Sequence, residues 1–213
     1  MAYEWKDKVV LITGAAAGIG ALVVRKLVKF EKVKHVTIID VNQEGAALAQ
    51  ALNEIFGDGK VAYFKCDITK DDELDAAFKW INDKFGHLDV LINNAGIMND
   101  SYQVYKKMVD VNVLDEYFSR TGVRIITICY GASGTSMLTK QKMGNFDKVI
   151  DNRMEELLSG LYLQKPETAA NGLIDAYKHG DNGSTWLSTK DRPVKDITEE
   201  VTMAYKILTD LTL

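Results

Sequence analysis

Near the start of the chain, Thr13-Gly14-Ala15-Ala16-Ala17-Gly18-Ile19-Gly20 follows a short apolar run and opens into a segment of helical period. Such a turn brings backbone N–H groups and the positive end of a helix to one point, which suits a pyrophosphate. Glycines there remove the Cβ atoms that would hold the phosphates away. The spacing is Gly-x-x-x-Gly-x-Gly rather than the common Gly-x-Gly-x-x-Gly. Tight packing alone would also select glycines in a turn of this kind.

Two carboxylates extend the pattern. Twenty residues after Gly20, an apolar run ends in Asp40, where a carboxylate can accept both ribose hydroxyls of an adenosine and would repel a 2'-phosphate. That favours NAD over NADP. A third apolar run ends in Cys66, Asp67 and Ile68, where the acid can accept from an adenine amino group and Ile68 can pack on the ring. Either acid could equally cap the helix that follows it.

The elements that must hold these residues are legible as an alternation. Short β-branched runs, "KVVLIT" (8–13), "HVTIID" (35–40), "VAYFKC" (61–66) and "DVLINNAG" (89–96), are separated by amphipathic stretches at 19–30, 44–56 and 72–85. Nearly continuous apolar strands, each followed by a helix, indicate a parallel sheet covered on both faces. The right-handed crossover rule makes it a doubly wound α/β sheet. Further on, the pattern predicts a helix over about 100–119, a strand at 123–129, helices near 146–160 and 167–178, and a turn into a last strand at 181–189. The tail, 196–213, is amphipathic and is expected to pack on the body or on a partner.

Length and composition bound the function. The chain has 213 residues, 46% of them hydrophobic, enough for a single domain spanning 1–213 with a sizeable core. Its formal net charge is -4 with both signs mixed, so neither nucleic acid nor membrane is expected as a partner. No apolar run approaches the ~20 residues that cross a bilayer, and the expected address is the cytoplasm. Cys66 and Cys129 each end a strand-like run, where buried free thiols are common. His35, His87 and His179 show no metal-ligand spacing, so no metal is expected.

Taken together, "TGAAAGIG", "NNAG" (93–96), "VNV" (111–113) and "GVRIITIC" followed by Tyr130-Gly131 resemble the short-chain dehydrogenase/reductase family. The stretch "ANGLIDAYKHGDNGSTWLST" (170–189) resembles its insect alcohol dehydrogenase and 15-hydroxyprostaglandin dehydrogenase branch. The resemblance implies a Rossmann fold and hydride transfer between a secondary alcohol and NAD. It implies that Gly14, Gly18, Ile19 and Gly20 line the pyrophosphate, Asp40 and Val41 the ribose, and Asp67 and Ile68 the adenine. Asn94 and Thr135 would lie toward the nicotinamide and its carboxamide, and Asn112 matches the asparagine of the family's Asn-Ser-Tyr-Lys group. A small-molecule alcohol or carbonyl would be the substrate, and the fourth and fifth helices would carry a homo-oligomer surface.

One part of the family pattern is missing. Its chemistry needs a tyrosine to move a proton, a lysine four residues later to lower that tyrosine's pKa, and a serine to stabilise the carbonyl oxygen; an unperturbed phenol, near pKa ~10, is a poor base at neutral pH. Only 28 residues, 95–122, separate "NN" from "VRIITIC". A crossover takes at least ~10–12 residues and a whole βαβ unit ~30, so this interval holds one crossover helix and no further strand-helix unit. The sheet is expected to be shortened by that unit, with the join near 113–116, and "VRIITIC" could then pair directly with "DVLINN". Ser101, Tyr102 and Lys106 reproduce the triplet's types, one helical turn apart, although Tyr and Lys at this spacing are common on surfaces. Turnover is therefore expected to be low or absent. The rival readings are a non-catalytic NAD-binding or scaffold protein, and an active alcohol dehydrogenase whose catalytic segment the present sequence lacks.

Overall fold

The computed structural model describes residues 3–97, 124–138, 156 and 159–212. They fall into two compact units, one comprising 4–97, 135–138, 156 and 159–161, the other residue 3, 124–134 and 162–212. Each is described by itself.

The first unit follows the alternation read from the sequence: β1 (Val9–Thr13), α1 (Gly18–Lys29), β2 (His35–Asp40), α2 (Glu44–Phe56), β3 (Val61–Lys65), α3 (Asp71–Phe85) and β4 (Val90–Ile92). The four strands are parallel in the order β3-β2-β1-β4, with Val9 opposite His35, Val36 opposite Val61 and Val10 opposite Val90. Every residue of β1 is buried, as a central parallel strand with both faces covered requires. Val9 and Leu11 pack with Ile39 against Ala77 and Ile81 of α3, while α1 buries Val23, Val24, Leu27 and Val28. Burial of each such side chain stabilises the fold by roughly 1.5–3 kcal/mol.

Local chemistry sets the helix ends. The Asn53 side chain joins α2 to β3, its amide donating to the Val61 carbonyl (2.8 Å) and its oxygen accepting from the Val61 N–H (2.9 Å). α3 stops at Gly86, whose φ of +77° lies in the left-handed region that glycine adopts without strain.

At the start of β2 His35 is fully buried, with Nδ1 2.7 Å from the Gly59 carbonyl, Nε2 3.1 Å from Thr37 Oγ1, and its ring against Phe85 and Trp80. Burial, aided by nearby Lys84 and Lys60, lowers its pKa from 6.5 to about 4. The folded chain thus resists a proton that the unfolded chain accepts. Stability from this source is complete above pH 6.5, declines as the pH falls and is gone below about 4. The loss is on the order of 3 kcal/mol. Urea midpoints of wild type and His35→Asn across this range check it: the wild-type curve should fall more steeply, and parallel curves would exclude the histidine as the cause.

The second unit holds β5 (Ile126–Tyr130), α4 (Pro166–His179), β6 (Ser184–Ser188), β7 (Lys195–Asp196) and α5 (Thr198–Thr212). β5 runs parallel to β6, and β6 antiparallel to β7. The tail is tied to this ladder at its start, where Ile197 N–H donates to the Thr185 carbonyl (2.8 Å) and Thr198 Oγ1 accepts from the Thr185 N–H (2.9 Å). Gln164 is buried among polar partners, its Nε2 2.9 Å from Ser133 Oγ and 3.0 Å from the Ser188 carbonyl. The Ser133 hydroxyl also donates to the Gly131 carbonyl (2.9 Å), which commits it to holding the turn.

Within the first unit β4 pairs with β1, and within the second β5 pairs with β6; residues 98–123 lie outside those described. Cys129 is exposed rather than buried, because Thr127 and Cys129 alternate onto a face of β5 that the described residues leave open. Cys66 is buried as expected, and burial, with Glu73, Asp67 and Asp72 nearby, pushes its thiol up to about 11. No helix among the described residues is long and apolar enough to cross a membrane.

Candidate functional site

β1 delivers the chain to the glycine loop, and the three glycines prove to have different tasks. A Cβ on Gly14 would lie 2.5 Å from the Ala95 Cα, and one on Gly20 would lie 2.6 Å from Asn94 Nδ2 and 2.8 Å from both the Ala15 Cα and the Gly14 carbonyl oxygen. Close packing therefore demands both. Gly18 meets nothing nearer than the Thr135 side chain at 3.8 Å, and its φ of +58° turns the chain into α1. Of the three it is the one with free space before it.

The helix beginning there lacks an anion of its own. Its N-cap, Ala17, makes no side-chain cap bond, and its first turn has no acid. Among the described residues, each of the other four helices with a given range opens with at least one: Glu44 in α2, Asp71, Asp72 and Glu73 in α3, Glu167 in α4, Glu199 and Glu200 in α5. As at any helix start, the N–H groups of Gly18, Ile19 and Gly20 have no partner within α1. An uncapped positive end facing a glycine is the arrangement that accepts an external phosphate.

Asp40 closes the loop from the neighbouring strand. Its Oδ2 accepts from the Ala16 N–H (2.9 Å) and its Oδ1 from the Asn42 N–H (2.9 Å). Each carboxylate oxygen keeps acceptor capacity after these bonds, so two vicinal hydroxyls could still be bound. Neither bond caps α2, so the capping alternative fails for this residue. Val41, next in the chain, is 58% exposed.

Asp67 behaves differently. Its Oδ1 accepts from the N–H (3.2 Å) and hydroxyl (2.8 Å) of Thr69, and its own N–H donates to Glu73, bonds that shape the turn ahead of α3, whose N-cap is Lys70. Ile68 belongs to the core with Val9, Leu11 and Ala77, and only 9% of it is exposed. Little of it remains to cover an adenine ring.

The two residues assigned toward the nicotinamide both sit at the glycine loop. Asn94 Nδ2 donates to the Thr13 and Gly14 carbonyls (3.0 Å each), and Thr135 stands opposite Gly18. Thr13, to which the sequence reading gave no role, is central: its buried Oγ1 accepts from the N–H groups of Asn94 (3.0 Å) and Ala95 (2.8 Å). The only signal in the sequence was a hydroxyl at the end of an otherwise apolar strand. Asn112, Ser101, Tyr102 and Lys106 lie outside the described residues. Tyr130 ends β5 with its hydroxyl buried and unpartnered, and burial pushes the phenol above its ordinary range, which disfavours it as a proton carrier. Among the described residues no three His, Cys, Asp or Glu side chains converge as a metal site would require.

Comparison with known proteins agrees with this geometry. A family model described as short chain dehydrogenase matches residues 8–115. The human 15-hydroxyprostaglandin dehydrogenase (NAD(+)) is 36% identical over 179 residues, covering 84% of this chain and 59% of that protein. Farnesol dehydrogenase of Aedes aegypti is 35% identical over 126 residues, covering 52% of this chain and 47% of that protein. Zerumbone synthase of Zingiber zerumbet is 36% identical, with 42% of its length covered, so the chain spans about half the length of the curated relatives it matches. The crystal structure of L-sorbose reductase from Gluconobacter frateurii, complexed with NADPH and L-sorbose, superposes with a TM-score of 0.68 at 18% identity, over 89% of this chain and 98% of that one. At that identity the likeness is one of fold. From the family match and the loop it falls on, the chain belongs to the short chain dehydrogenase family.

Proposed function

We propose that the chain is an NAD-binding member of this family whose ancestral reaction is oxidation of a secondary alcohol, with little or no turnover of its own. The observation that carries the reading is the uncapped, acid-free start of α1 at Gly18, with the Asp40 carboxylate fixed 2.9 Å from the Ala16 N–H beside it. Gly18 and Ile19 would hold the pyrophosphate, with Gly14 and Gly20 allowing the loop its shape. Asp40 and Val41 would hold the adenosine ribose, and Asp67 would border the adenine. A 2'-phosphate next to Asp40 would be repelled, which supports NAD as the cofactor. When bound, the nicotinamide would supply a hydride acceptor.

Low turnover follows from the residues themselves. The 95–122 interval is too short for the strand and helix that would carry the Ser and the Tyr-x-x-x-Lys. A single Rossmann domain, a cytoplasmic address and a small alcohol or carbonyl as partner complete the proposal. The second reading, an active enzyme whose catalytic segment is missing from this sequence, is separated by the intact mass, which would then exceed 23.7 kDa. For a protein of the present mass, a panel of secondary alcohols with NAD is expected to give no NADH above the buffer rate. Robust turnover would overturn the claim of impaired chemistry. Tyr102→Phe would then show whether the 101–106 triplet had taken over.

A further inference from the structure

We propose that Asn182 is a site of spontaneous covalent modification in the folded chain, converting to aspartate and isoaspartate through local opening of the turn that leads into β6. The sequence contains two Asn-Gly pairs, Asn171-Gly172 and Asn182-Gly183. In such a pair no side chain on the second residue shields its backbone nitrogen, which reaches the asparagine side chain once the segment is free to rotate. That nitrogen attacks the side-chain carbonyl carbon. A C–N bond forms, and the side-chain nitrogen leaves as ammonia, carrying away the proton the backbone nitrogen gives up. Water then opens the resulting succinimide at either carbonyl, giving aspartate or, with one more methylene in the backbone, isoaspartate.

The fold treats the two pairs differently. Asn182 and Gly183 are the central residues of a turn closed by the Ser184 N–H on the Asp181 carbonyl (3.1 Å), with Gly183 at φ +80° as a type II turn requires. Two bonds to one residue hold the pair shut: the Gly183 N–H donates to the Ile125 carbonyl (2.8 Å), and Asn182 Oδ1 accepts from the Ile125 N–H (2.8 Å). Residues 181–183 are all exposed, and a Cβ on Gly183 would meet nothing within 4 Å, so loss of those bonds opens the pair into free space. Asn171-Gly172 lies inside α4, where Gly172 is buried and a Cβ on it would lie 2.9 Å from Ser188 Oγ. There the nitrogen is released only when the helix itself unfolds. The longer backbone of an isoaspartate at 182 would displace both groups that meet Ile125, at the start of the β5–β6 ladder.

Peptide mapping by mass spectrometry of the full chain, aged at mildly alkaline pH with and without concentrated urea, follows acid formation at both asparagines. In urea the two should convert at similar rates. In the native chain Asn182 is expected to convert at least about tenfold faster than Asn171, because its turn opens locally. Conversion of Asn182 no faster than Asn171 in the native chain, or none at Asn182, would overturn the proposal.

Discussion

A Gly14→Val chain is expected to yield little folded protein. The φ of +64° at this position costs an ordinary L-residue on the order of 1 kcal/mol. The larger penalty is steric, because the new Cβ would lie 2.5 Å from the Ala95 Cα and 3.0 Å from the Ala95 nitrogen. Those are backbone atoms of the turn after β4, and they cannot move without breaking the bonds from Asn94 and Ala95 to Thr13. A destabilisation of about 4 kcal/mol or more is expected, a large share of the ~5–15 kcal/mol that holds a typical domain together. Gly18→Ala provides the contrast. Its φ of +58° carries a similar local cost, but its nearest neighbour is Thr135 at 3.8 Å, so only about 1 kcal/mol should be lost. Urea denaturation of the two variants checks the assignment of packing to Gly14 and space to Gly18; equal losses would refute it.

Thr13→Val should produce the second large effect. Valine keeps the shape of threonine and removes the one acceptor shared by the Asn94 and Ala95 N–H groups, at a position that is 2% exposed. Each buried donor left unsatisfied costs about 1–3 kcal/mol, so the variant should lose about 2–5 kcal/mol. Thr13→Ser keeps the oxygen and removes a methyl group, and should lose only about 1 kcal/mol. If both variants melt together, the hydroxyl is not what holds the turn.

Much of the first unit was readable before any coordinates. The strand period, the helix period and the turn residues place β1 to α3 within a residue or so, because a buried parallel strand and an amphipathic helix write their burial directly into the sequence. Asp40 was readable for a related reason: its distance from the glycine loop is set by one helix and one strand. What was not readable depends on neighbours far along the chain. The packing need at Gly14 comes from Ala95, 81 residues away, and the donors to Thr13 come from the same turn. The direction of the Asn94 amide is a choice of rotamer, which spacing cannot express. Asp67 could bind an adenine or cap the next helix on sequence grounds, and its bonds to Thr69 shape the turn ahead of α3, whose N-cap is Lys70. Exposure of Cys129 depends on what covers β5, a property of its neighbours and not of its own run.

The most direct test of the cofactor reading is a fluorescence titration of the full chain with NADH and, in parallel, NADPH. Saturable NADH binding is expected, with NADPH at least about tenfold weaker because a 2'-phosphate would meet the Asp40 carboxylate. Failure of NADH to bind at all, or equal binding of the two, would contradict it.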